Sequence, residues 1–174
     1  MRKTKWFKRF LPRTRSKTVF VFVMTCYTYT LQSINWRLIR LFDLWPKTID
    51  PQTQALRLDR PGSDGTILHA IISHLMIAPV AESLIVVAII ELFARLKFGI
   101  VVQILASASL SCFFHSIQYP LWGLEVAPVF LIGAGAYVYW RQVSFWTGTQ
   151  MIILLHCFQN FIIFIGFLAE RLNP

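Results

Sequence analysis

Four side chains able to do chemistry stand inside long apolar stretches: Glu82, His115, His156 and Asn160. A carboxylate in an apolar setting holds protons more tightly than in water and can serve as a general base. A nearby imidazole can share a water with it. His156 and Asn160 are four residues apart and so share one helix face. Together they offer hydrogen-bond donors to a developing oxyanion. That set suits activation of water and hydrolysis of an amide. Two other uses of the same residues stay open. Buried His and Asn commonly join helices to one another. Glu82, His115 and His156 are also plausible ligands for zinc or another divalent metal, although no HExxH occurs.

The surroundings decide where such chemistry would take place. Of the 174 residues, 56% are apolar and 14% charged, against about 45–50% and about 25% in an ordinary soluble domain. Mean hydropathy is +0.57. A disordered chain would be polar and highly charged, and a soluble enzyme would lack the polar surface to cover so many apolar residues. The composition predicts an all-α polytopic membrane protein.

The net charge of +9 is concentrated at one end. Eight of the 17 cations lie within residues 1–17, with no acid among them, and an apolar run from Val19 to about Ile34 follows. This reads as a basic cytoplasmic segment (1–17) joined to a retained first transmembrane helix (18–36). The rest of the chain shows no basic face for nucleic acid. The stretch Tyr27–Leu31 offers no small-residue cleavage site. Cys26, Cys112 and Cys157 have no metal or disulfide spacing and read as small apolar packing residues.

Residues 37–65 form a polar loop punctuated by Pro46, Pro51 and Pro61, with a short interfacial helix expected around Trp36–Trp45. Four further spans are predicted in a helical core over 66–170. They are Thr66–Ala94, interrupted at Pro79; Phe98–Tyr119; a short Val126–Trp140; and Gly148–Ala169. This makes a bundle of five transmembrane helices, or six if Pro79 splits its span. The turns carrying Arg95, Lys97 and Arg141 fall on the side of the basic N-terminus, which the positive-inside bias makes cytoplasmic.

At about 1.5 Å per residue, Glu82 lies about 20 Å from Arg95, His115 about 27 Å from Lys97, and His156 about 22 Å from Arg141. Asn160 is one turn beyond His156. Residues from three spans therefore come to a similar depth.

The segments holding them resemble the CPBP family, the ABI or CAAX prenyl protease type II intramembrane proteases. Ala78-Pro79-Val80-Ala81-Glu82-Ser83 is similar to the family's EExxxR motif with its preceding Ala-Pro. Ser111-Cys112-Phe113-Phe114-His115 is similar to FxxxH, and His156-Cys157-Phe158-Gln159-Asn160 matches HxxxN. The order and spacing of the motifs agree, and the resemblance covers about residues 66–168. It implies an intramembrane endopeptidase in which Glu82 and His115 position the attacking water. His156 and Asn160 would form the oxyanion hole. The substrate would be a membrane-embedded or lipidated protein. No cofactor is obligatory on this reading; a metal, if used, would be held by Glu82, His115 and His156.

The departures are Ser83 for the second Glu, Val87 for the Arg and Ser111 for the Phe. Losing the Glu and the Arg together leaves no unpaired buried charge. They also motivate an alternative: a catalytically inactive relative acting as a binding, chaperone or immunity-type factor. The expected setting is a bacterial cell membrane, with the N-terminus cytoplasmic.

Other polar residues receive humbler roles. His69 and His74, ahead of Pro79, are expected to be packing or interfacial. Glu91 is expected to be a solvated residue pairing with Arg95, and Glu125 and Glu170 to be interfacial. The six Trp, mostly near span ends, read as an aromatic belt. Ser83 lacks a base at reach in sequence and is not expected to be a nucleophile.

Overall fold

The hydrocarbon interior offers no water to backbone N–H and C=O groups, so a long apolar run must satisfy them within itself, as a helix. The computed structural model describes residues 16–41, 72–118 and 121–172. Their regular elements are α1 (Lys17–Leu41), a π-helical turn (Ser73–Ile77) leading directly into α2 (Ala78–Arg95), α3 (Ile100–Gln118), α4 (Trp122–Trp140) and α5 (Phe145–Leu172). No strand occurs among the described residues. Most of the basic N-terminal segment, most of the 37–65 loop, His69, Trp6 and Trp45 lie outside them, as does the side chain of Glu170.

Among the described residues, four helices are long and apolar enough to cross a membrane: Ser73–Arg95, Ile100–Ile117, Trp122–Trp140 and Phe145–Gly166. The chain is an all-α, multi-pass membrane protein. The first helix, counted above as a fifth span, has the length but not the apolarity. Its inward face carries Thr25, Thr28 and Gln32, all buried, while Phe22 and Tyr27 point outward. Those polar groups are spent on the bundle rather than turned to lipid.

Pro79, which seemed to interrupt its span, does not: the helix runs unbroken from Ile72 to Arg95, with Pro79 just after the π turn, so that its missing N–H leaves a carbonyl for another helix to meet. The fourth span begins at Trp122, not at Val126, and continues through Pro128. An interior proline cannot donate to the carbonyl four residues back, which here belongs to Leu124. The side-chain amide of Asn35 on α1 donates to that carbonyl instead.

The bundle is organised around α4. One apolar cluster joins Val86, Val87 and Ile90 of α2 with Ala108 of α3, and Phe130, Ala134 and Tyr137 of α4. A second joins Phe20 and Met24 of α1 with Ala136 and Trp140 of α4, and Met151 and Leu155 of α5. The small residues Gly133, Ala134 and Ala136 let backbones approach, as membrane helix packing requires. Trp140, expected in the aromatic belt, is buried against Phe20 with ring centroids 5.4 Å apart. Trp146 does stand exposed.

Glu91 also departs from expectation. Its Oε1 accepts from the Tyr137 hydroxyl at 2.6 Å and from Arg141 Nη1 at 2.8 Å. Arg141 Nη2 reaches Gln103 Oε1 at 3.2 Å. Glu91 is therefore a tether across α2, α3 and α4, because Arg141 lies closer in space than its neighbour in sequence suggests. Glu125, expected at the interface, is only 5% exposed. With Phe20 against Tyr139 and Trp140, Lys17, Arg95, Lys97 and Arg141 gather at one end of the bundle.

The closest approach of α3 and α4 is at Gly123, where a Cβ would run into the Cys112 carbonyl and the Ser116 hydroxyl. Backbone cannot step aside as a flexible side chain can. Gly123→Ala should therefore destabilise the protein by about 1–3 kcal/mol, measured by thermal unfolding in detergent. Gly166→Ala, which meets nothing within 4 Å, should leave stability unchanged.

Candidate functional site

At the end of the bundle away from Arg95 and Arg141, the helices enclose a cavity of about 390 Å³, within the range of small-ligand sites. The start of α2 supplies Glu82, the end of α3 His115, and the middle of α5 His156 and Asn160. The start of α4 gives the apolar wall Trp122, Val126, Val129 and Phe130. The four residues singled out in sequence therefore line one cavity. Three more polar wall residues were not placed there: Gln32 of α1, His74 of the π turn and, as an aromatic, Trp122.

Glu82 Oε2 lies 3.5 Å from His156 Nε2 and 3.8 Å from His115 Nε2. Both separations exceed a good direct hydrogen bond. They suit groups that share a water. The outer nitrogens of the two rings distinguish their roles. His115 Nδ1 donates to the Ser111 carbonyl at 2.9 Å, one turn back. A neutral ring then presents the Nε2 lone pair towards Glu82. His156 Nδ1 faces the hydroxyl of fully buried Ser83 at 3.4 Å. With Ser83 donating, His156 carries its proton on Nε2. In that arrangement one imidazole accepts and the other donates, on either side of one carboxylate.

Phe130 keeps the rings apart, its centroid 5.2 Å from His115 and 5.6 Å from His156. Trp122 meets His115 edge-on at 4.8 Å, so it packs on the site rather than marking a membrane surface. The structure does bring a base, His156, within reach of Ser83, but the serine is fully buried and does not line the cavity. It supports His156.

Asn160 Nδ2 donates to the His74 carbonyl at 2.8 Å. The reason lies in the π turn. There the Ala78 N–H bonds to Ser73, five residues back. In that register the next donor would be Pro79, and its acceptor His74, but Pro79 has no N–H. Asn160 fills that place, as Asn35 does for Pro128. Its second N–H is the one left for chemistry in the cavity. The π turn also sets the placement of His74, which an ideal α-helix would rotate differently. Ideal-helix spacing, about 80° from Glu82, allows His74 a place in the cavity but favours packing.

Among the described residues, no group of three or more His, Cys, Asp or Glu is arranged to hold a metal ion. Were a divalent ion bound, Glu82, His115 and His156 would be its ligands; no step is routed through one.

Comparison of the chain with protein-family models, with curated proteins and with solved structures finds no match.

Asn160 thus has a stabilising duty that a purely catalytic residue would not have. Asn160→Ala should lower stability by about 1–3 kcal/mol, the cost of an unmet carbonyl. Pro79→Ala in the same chain restores a backbone donor and should recover much of that loss. A double-mutant cycle by thermal unfolding checks this; simple additivity of the two changes would contradict it.

Proposed function

We propose that this chain is an intramembrane endopeptidase, of the CPBP type that its motifs resemble. The supporting observation is the carboxylate of Glu82 between the imidazoles of His115 and His156, in a cavity inside the membrane-spanning bundle.

The chemistry follows from the proton positions. A water held by Glu82 and the His115 Nε2 lone pair donates to both. It attacks the carbonyl carbon of a peptide bond while Glu82 takes its proton. Negative charge develops on the carbonyl oxygen, where the Nε2–H of His156 and the second N–H of Asn160 meet it. The C–N bond then breaks, and Glu82 passes its proton to the departing amine. The products are a new carboxyl end and a new amine end. A substrate helix must unwind locally to offer its carbonyl, and the polar walls supply partners to its freed backbone groups. The substrate is a membrane-embedded or lipidated protein.

Ser83 and Val87, the two departures from the first motif, are both buried. Val87 joins the apolar core and Ser83 steadies His156. Packing and one hydroxyl thereby replace a Glu–Arg pair, which supports retention of the cavity without it. The gathering of Lys17, Arg95, Lys97 and Arg141 at one end supports a cytoplasmic N-terminus in a bacterial cell membrane. The cavity then opens in the opposite half of the bilayer.

Membranes from cells expressing the chain should contain peptide ends that disappear with Glu82→Ala and with His115→Ala, while both variants remain in the membrane. Comparative proteomics of membrane peptides measures this. Chelator treatment should leave the ends in place. Identical peptide ends with and without Glu82 would remove the general base and favour the inactive, partner-binding alternative.

A further inference from the structure

Next to Ser83 lies a second cavity, of about 10 Å³, lined among others by Thr28 of α1, Ser83 of α2, and His156 and Gln159 of α5. It is distinct from the larger cavity, though Val129, Phe130 and His156 border both. Gln159 is 1% exposed, and its Nε2 donates to Gln32 Oε1 at 2.8 Å. Its own Oε1 is buried and has no partner in the protein. Ser83 and Thr28 are buried as well. The Thr28 hydroxyl donates to the Met24 carbonyl at 2.8 Å and keeps its lone pairs.

We propose that this small cavity is a binding site for one ordered water, which links Gln159 to Ser83 and so holds the orientation of His156. The volume matches a single water and no more. Two acceptors face it, Gln159 Oε1 and Ser83 Oγ, the lower end of the two to four partners that a buried water requires. The water donates one hydrogen to the bare Gln159 Oε1 and the other to Ser83 Oγ. Receiving that bond strengthens Ser83 as a donor to His156 Nδ1, because chained hydrogen bonds polarise one another. The chain Gln32–Gln159–water–Ser83–His156 then keeps the His156 proton on Nε2, towards Glu82. Gln159 is a positioning residue on this view. It touches neither substrate nor reacting atoms. The site itself rests on geometry alone, and only its effect on cleavage rests on the peptidase reading.

Two measurements on the full chain test it: a crystal structure from a lipid phase that resolves ordered water, and side-chain ¹⁵N NMR of labelled histidine in detergent. The expected structure has one water within hydrogen-bond reach of Gln159 Oε1 and Ser83 Oγ, lost in Gln159→Leu. In the NMR, Gln159→Leu should move the His156 Nδ1 and Nε2 shifts from the Nε2–H form towards a mixture of tautomers, with His115 unchanged. Gln159→Met, which removes the same oxygen with a more flexible side chain, should shift His156 the same way and serves if Gln159→Leu does not fold. Cleavage should fall about fivefold in Gln159→Leu, the effect of one ordinary hydrogen bond. No water in the parent structure, or His156 signals unmoved in both variants, overturns the proposal. If the water and the shifts appear but no protein form cleaves any membrane peptide, the hydration site stands and the peptidase reading falls.

Discussion

A polar group inside a membrane must find its partners within the protein, because lipid supplies none. Glu82 makes this constraint sharpest. Its carboxylate stands in a spanning helix, and the groups facing it are two imidazoles rather than a cation. An ion pair with Arg or Lys would have settled the charge and closed the site. Two rings that can each hold or release a proton leave the carboxylate satisfied and still able to react. The remaining architecture serves to bring α2, α3 and α5 to that one point, with α4 as the packed partition behind it.

The same constraint explains the two asparagines. Pro79 and Pro128 each remove a backbone donor inside an apolar helix, and each open carbonyl is met by an amide from another helix: Asn160 for His74 and Asn35 for Leu124. These bonds cross between helices because no donor on the same helix is left to make them. They fix the entrance of α2 against α5 and the start of α4 against α1. Asn35, with Gln32 bonded to Gln159, makes α1 part of the site's wall. At the other end, the Glu91–Arg141–Gln103 network holds α2, α3 and α4 together. One end of the bundle is thus tied shut by charge, and the other is held open by neutral hydrogen bonds.

Much of this was legible in the residues. Apolar runs of spanning length gave the helical class. Similar depths along three spans brought Glu82, His115, His156 and Asn160 to one level, and one cavity contains them. What could not be read was anything set by lateral neighbours. Glu91 was matched to Arg95 by helix spacing, whereas its strong partners, Tyr137 and Arg141, come from another helix. Trp122 and Trp140 were assigned to the membrane surface by their places near span ends, yet both pack inward. Pro79 looked like a break because sequence does not reveal an amide waiting on a neighbouring helix. The π turn escaped notice for a related reason: it changes the phase of His74 without any change in hydropathy.

The central claim is that water, activated at Glu82, is the nucleophile in peptide cleavage within the bilayer. Incubating membranes that contain the protein in water enriched in ¹⁸O, then weighing the newly formed C-terminal peptides, tests it most directly. The account predicts one heavy oxygen in each new carboxyl end, with no such ends formed by Glu82→Ala membranes. New ends without the heavy isotope, or labelled ends that form equally well without the carboxylate, would contradict it.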